Sequence, residues 1–174
     1  SVNQVYAFDA IGRDAWGNVI PVLPSFGVTG PIGTIGTSSG IFTASSTAGV
    51  SGTVDATLAG MTSSAQVTIL SNAKALTAFS FPSLGATGVI TGTNIAITVP
   101  AGTNVSALTA SFTTTGVSVK VGSTVQTSGS TPNNFAAPVT YTVVAEDGSF
   151  QDYVVTLSNG PSVAANGMGP PNEL

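Results

Sequence analysis

Apolar and polar positions alternate along much of this chain with a period of two, and the clearest run is Val139 to Leu157, VTYTVVAEDGSFQDYVVTL. If Glu146, Asp147 and Gly148 form a three-residue loop with Gly148 left-handed, Val139, Tyr141 and Val143 share a face with Tyr153, Val155 and Leu157. A two-residue Asp-Gly turn would pair Val143 with Asp152 and turn Tyr153 to the other side. Such a one-residue slip costs the whole buried face. The stretch therefore predicts a β-hairpin, and the chain an all-β fold.

The same period, broken by Gly, Pro and Asn clusters, places further strands. Tyr6, Phe8 and Ala10 mark one from Val2 to Ala10, and DAIGRDAWGNVI turns at Trp16-Gly17-Asn18. Pro21 and Pro24 limit the next segment to an edge or loop-like strand. Gly30 to Gly40 is a glycine-punctuated loop with a short strand around Ile35, followed by a brief strand Ile41 to Ala44. Val54, Ala56 and Leu58 alternate with Thr53, Asp55 and Thr57, and Val67 and Ile69 with Gln66 and Thr68, as in a hairpin around Gly60. After Ser71 to Ala75 the pattern resumes at Leu76, with strands at Phe79 to Phe81, Ile95 to Val99, Leu108 to Phe112, Val117 to Val121, Val139 to Ala145 and Phe150 to Leu157. The chain length of 174 residues suits two small sandwiches, residues 1–72 and 73–158, with an extended tail over 159–174.

The first seventy residues resemble the bacterial Ig-like (Big-type) surface domains. The resemblance rests on the aromatic strand Tyr6 to Phe8, the turn Asp14 to Asn18, Gly40 to Ala44, Val54 to Thr57 and Val67 to Ile69. That family begins with one more strand, so domain one is expected to lack its first strand, and Phe26 stands where the family often has Trp. NIAITVPAGTNVSALTASF and PVTYTVVAEDGSFQDYVVTL resemble Ig-like or cadherin-like repeats of bacterial surface proteins. The two likenesses imply tandem Ig-like β-sandwich domains in an extracellular setting, with no catalytic residues to carry over.

Composition narrows the function. Charged residues make up 6% and hydrophobic residues 42%, so the polar surface must be mostly neutral Ser, Thr, Asn and Gly, unlike a typical cytosolic protein. Arg13, Lys74 and Lys120 are the only basic side chains in a chain of net charge −4. No cationic patch can form, which excludes nucleic acid as a partner and an anionic membrane surface as a docking site. No run of about 18 apolar residues is present, so membrane insertion is not expected. The chain begins at Ser1, as a processed mature form or a trimmed segment would.

Candidate chemistry is sparse. With no His and no Cys there is no Ser-His or Cys-His nucleophile pair and no ordinary zinc site. Glu146, Asp147 and Asp152 cluster near the hairpin, but a glycosidase needs two carboxylates flanking a cleft, and turn positions favour Asp for backbone bonding. Asp9, Asp14 and Asn18 could converge on a Ca²⁺ ion, yet an Asx-stabilised turn explains them better. Lys120 alternates with Val117, Val119 and Val121 and points outward, which argues against an isopeptide crosslink. Gly30, Gly33, Gly36 and Gly40 lack the Gly-Lys-Ser/Thr and the helix of a phosphate loop. Trp16 beside its turn could stack on a sugar, although an ordinary core or rim aromatic is the plainer reading. Asn104-Val105-Ser106 is one N-glycosylation sequon.

These observations favour a non-enzymatic, cofactor-free extracellular structural protein. It would be the repeating subunit of a pilus-like filament or surface layer, assembled head-to-tail with copies of itself by strand donation. Few Lys or Glu guard the strand edges, as expected if edges pair. The candidate interface is the tail, Pro161, Ser162, Val163, Ala164 and Ala165, with Val2 and Val5, since Ser1 to Gln4 offers a competing donor arm. The alternatives are an adhesin or carbohydrate-binding segment of a larger cell-surface protein, contacting host or surface glycans, and a phage virion decoration protein.

Overall fold

The computed structural model describes residues 1–161. The chain is all-β, with one single-turn 3-10 helix, Pro82–Leu84, among the described residues. It divides into two compact units: residues 1–73 with 145–149, and residues 74–144 with the chain from 150 onward.

The first unit contains β1 (Val5–Ala7), β2 (Gly12–Arg13), β3 (Val19–Ile20), β4 (Ser25–Thr29), β5 (Gly33–Ile35), β6 (Ile41–Ala44), β7 (Ser51–Leu58) and β8 (Met61–Thr68). They form the sheets β1-β6-β5 and β4-β7-β8 and the small hairpin β2-β3. Alternation decides what is buried: in β6, Phe42 and Ala44 are inside while Ile41 is out. Phe26, Ile32, Phe42, Val54 and Ile69 make the core, joined by Val2, and Phe8 meets Phe42 edge-on with ring centroids 5.8 Å apart. β7 and β8 pair from Ser51↔Thr68 to Leu58↔Met61. Ala59 and Gly60, with φ of 49° and 82°, close them in a two-residue loop of the kind whose twist suits a hairpin. The glycine-punctuated loop is held by packing, because a Cβ on Gly33 would run into the Thr43 carbonyl oxygen.

The expected strand from Val2 to Ala10 is shorter than its alternation suggested. Only Val5–Ala7 pairs as a strand. The Phe8 N–H bonds to Gly40 O at 2.9 Å, after which the chain leaves the sheet for the β2-β3 hairpin. β4, after the two prolines, lies at a sheet edge as expected.

The second unit contains β9 (Leu76–Phe81), β10 (Ala86–Thr87), β11 (Val89–Thr91), β12 (Asn94–Val99), β13 (Leu108–Thr109), β14 (Ser111–Thr114), β15 (Ser118–Val121), β16 (Thr124–Val125), β17 (Pro132–Asn133), β18 (Val139–Val144) and β19 (Phe150–Asn159). Its largest sheet runs β11-β12-β19-β18-β15-β16, with a second sheet β10-β9-β14 and a pair β13-β17. β18 and β19 pair from Val139↔Val155 to Val144↔Phe150. The Ala145 N–H bonds to Ser149 O at 2.8 Å and the Gly148 N–H to Ala145 O at 3.1 Å, with Gly148 at φ 83°. This is the three-residue loop that the hydrophobic pattern demanded. β19 also pairs in parallel with β12, from Asn94↔Val154 to Val99↔Asn159.

Tyr141 sits at the centre of this core with no exposed surface. Its ring lies edge-on to Phe79 at 5.1 Å and to Phe112 at 5.9 Å, and stacks on Phe135 at 6.4 Å. Its hydroxyl accepts from Asn133 Nδ2 at 3.1 Å, and the same amide donates to Gln126 Oε1 at 2.7 Å. Burial pushes the phenol up to about 12, opposed in part by the Asn133 bond, so it stays neutral and keeps the buried polar network satisfied.

Candidate functional site

The most exposed aromatic side chain among the described residues, Trp16, stands in the turn of the β2-β3 hairpin. Gly12 opens it, and a Cβ there would collide with the Val22 side chain. The turn is built by Asp14. One carboxylate oxygen accepts from the backbone N–H groups of Trp16 and Asn18, each at 2.9 Å. The other accepts from Asn18 Nδ2 at 2.9 Å. The Asp14 N–H bonds to Asn18 O and the Gly17 N–H to Asp14 O, each at 3.0 Å, while Arg13 Nη1 donates to Gly17 O at 2.8 Å. The Asn18 amide, followed by the backbone donors, holds the Asp14 carboxyl below its ordinary value of 3.8. Asp14 is thus a turn organiser, and with its bonds spent inside the turn the Asx reading is the one the geometry fits.

The turn presents Trp16 at 87% exposure. A tryptophan held this far out, on a turn pinned by six hydrogen bonds, offers an apolar ring face and an indole N–H at little further ordering cost. Arg13 and Asn18 flank it with polar groups.

The carboxylates near the long hairpin each have a structural partner. Glu146 accepts from the Ser71 N–H at 2.9 Å. Asp147 accepts from the Ser149 N–H at 3.0 Å and from the Ser149 hydroxyl at 2.6 Å. Asp152 accepts from the Thr142 hydroxyl at 2.6 Å. Asp9 caps the N–H of Ala10 at 2.8 Å. Among the described residues no group of three or more acidic side chains could hold a metal ion.

Lys120 lies on the outer face of the six-stranded sheet, opposite Thr142 and Val125, as alternation required. With it on that face are Ser118, Thr140, Thr142, Asp152, Thr156 and the exposed Phe150. Asn104 is exposed and accepts from Ser106 N–H and Oγ at 3.0 and 2.7 Å.

Of the residues expected at a self-association interface, Val2, Val5 and Pro161 fall among the described residues. Val2 is buried in the first unit's core, Asn3 N bonds to Ser45 O, and Ala44 N bonds to Gln4 O. Val2, Asn3 and Gln4 are thus packed or hydrogen-bonded within their own unit. Val5 is exposed on β1 opposite Thr43. Pro161 is exposed at the end of the description, and Ser162, Val163, Ala164 and Ala165 lie outside the described residues.

Fold and surface together define an all-β protein whose most exposed aromatic side chain among the described residues is Trp16. Residues 76–157, a little under half of the chain, match the family model of the SGBP N-terminal domain, SGBP standing for surface glycan-binding protein. That match falls on the segment resembling cadherin-like repeats and is a likeness to a different family. No curated protein matches the chain. Among solved structures, a crystal structure of a candidate glycoside hydrolase from Bacteroides thetaiotaomicron is 29% identical over 53% of this chain and 27% of that one, with a TM-score of 0.43. This chain thus spans little more than a quarter of that protein's length.

Proposed function

We propose that this chain is a non-catalytic glycan-binding segment of a bacterial cell-surface protein, acting outside the cell. The observation that carries the reading is the match of residues 76–157 to the SGBP N-terminal family model. The neutral, hydroxyl-rich surface supports it, as does the engagement of each hairpin carboxylate in a structural bond. This reading takes the place of a pilus-like filament, for which the comparisons offer no support.

The Trp16 turn is the proposed contact. Its ring would cover the apolar face of a pyranose, and Arg13 and Asn18 would reach the ring hydroxyls from the sides. Affinity electrophoresis through gels cast with plant, host and bacterial polysaccharides tests this. At least one polysaccharide should retard the protein, Trp16→Ala should weaken that retardation roughly tenfold, and Phe150→Ala on the other unit should leave it unchanged. Free migration in every gel would overturn the reading.

A further inference from the structure

Arg13 is the one basic side chain of the first unit, since Lys74 and Lys120 belong to the second. It stands exposed on β2 opposite Val19, three residues before Trp16. Its Nη1 donates to Gly17 O at 2.8 Å, so the turn that displays the indole also holds the guanidinium, at the residue next to Trp16. The side chain lines a hollow of about 270 Å³ with Ile11, Ile20, Val22 and Met61, an apolar bed for an aliphatic stem. An arginine tied at its head in this way has less rotamer freedom left to lose when a ligand arrives.

A guanidinium carries five N–H donors, and the Gly17 carbonyl takes one. No acidic side chain among the described residues takes another. Asp14, the next residue, gives both carboxylate oxygens to N–H groups of Trp16 and Asn18. Asp9 accepts from the Ala10 N–H, and Asp55 from the Thr29 and Thr53 hydroxyls. Glu146 and Asp147 are engaged by Ser71 and Ser149. The donors left over on Arg13 form a planar fork, and the group that matches such a fork is a carboxylate.

Charge limits how many carboxylates the ligand can carry. The chain has a net charge of −4, and Asp9, Asp14, Asp55, Glu146 and Asp147 share the first unit with this single arginine. A dense polyanion would be repelled by the protein as a whole. One carboxylate on an otherwise neutral chain would meet Arg13 alone, because salt screens the more distant charges beyond about 8 Å.

We propose that Arg13 makes the Trp16 turn selective for a neutral glycan that carries isolated uronic acids, the indole covering the sugar face and the guanidinium holding the carboxylate. This selectivity rests on the glycan binding proposed for the turn and adds which sugar it favours. The carboxylate of a uronic acid lies at the rim of the pyranose ring. A donor beside the stacked indole, as Arg13 is, can therefore reach it.

Carboxyl reduction of the ligand provides the test, because it changes the sugar and leaves the protein intact. Glucuronoxylan and gum arabic, both sparse in uronates, are cast into affinity gels beside their carboxyl-reduced forms and a set of neutral polysaccharides. At least one uronate-bearing polymer should retard the protein about fivefold more strongly than its reduced form does. Arg13→Gln should bring the two forms level, whereas Trp16→Ala should weaken retardation by both alike. Equal retardation by each polymer and its reduced form, retention by neutral polysaccharides alone, or a preference that survives Arg13→Gln would overturn the selectivity and leave glycan binding standing. Free migration in every gel would overturn both.

Discussion

The two units solve the same problem of covering apolar sheet faces, and they solve it to different extents. In the second, sixteen residues form one buried cluster around Tyr141, and the last strand is inserted between β12 and β18. In the first, seven residues form the cluster, Met61, Ser63 and Ala65 of β8 lie exposed opposite Leu58, Ala56 and Val54, and Trp16 and Leu23 stand 87% and 94% exposed. Among the described residues the first unit holds most of the exposed large hydrophobic side chains, although Val89, Val117, Val125 and Phe150 stand exposed on the second.

The sharpest way to break this contrast is to empty each core. Tyr141→Ala removes a ring packed against three aromatics and the acceptor of an Asn133 hydrogen bond, and should cost about 4 kcal/mol in denaturant unfolding. Phe42→Ala in the first unit should cost less, about 3 kcal/mol, because the hollow it lines with Phe8 and Val67 leaves its surroundings freer to relax. Equal losses would contradict the difference between the cores. Tyr141→Phe then isolates the hydroxyl: Asn133 keeps its bond to Gln126, and the expected loss is about 1 kcal/mol.

Smaller effects sharpen the turns. Gly148→Ala meets no atom within 4 Å but must hold φ near 83°, a cost of about 1 kcal/mol that unfolding of the variant would report. In the Trp16 turn, Asp14 is held below its ordinary 3.8 by the Asn18 side-chain bond and the backbone donors. A depressed carboxylate contributes order above its unfolded value and loses it as pH falls through the folded one. Emission from Trp16, the only tryptophan, should therefore shift with a midpoint below pH 3.8, and the step should vanish in Asp14→Ala.

The features that sequence exposed were those encoded within a few residues. Gly148 and the spacing of Tyr141 and Tyr153 fixed the long hairpin's register, because only one loop length puts both rings inside. Gly60 and the alternation around Val54 marked the β7-β8 hairpin without setting its register, and Asp14 with Asn18 announced a stabilised turn. The parallel pairing of β12 with β19 was not legible, since it joins residues 60 apart in sequence, Asn94 to Val154, with no local signal. Nor was the network of Gln126, Asn133 and Tyr141, whose members read separately as ordinary polar or core residues. The Phe79-to-Phe81 segment extended back to Leu76, and Leu108-to-Phe112 split at Ala110 into β13 and β14, because a pattern of two cannot show where a ladder breaks.

The exposed row of β8 shows the same limit from the other direction. Met61, Ser63 and Ala65 are too mixed to read as a core-facing row, so their place became visible only once their register with Val54, Ala56 and Leu58 was fixed. Trp16 was visible as a candidate from its turn alone. Its near-complete exposure gives that candidate its weight.

The most direct test of the functional account is the fluorescence of Trp16 during titration with a polysaccharide that retards the protein in affinity gels. Because the chain has one tryptophan, any change in emission reports on that turn. The account predicts a saturable blue shift, with a midpoint matching the gel affinity, as the indole leaves water for a sugar face. Undiminished gel retardation with unchanged Trp16 emission would contradict it and move the binding surface away from the β2-β3 hairpin.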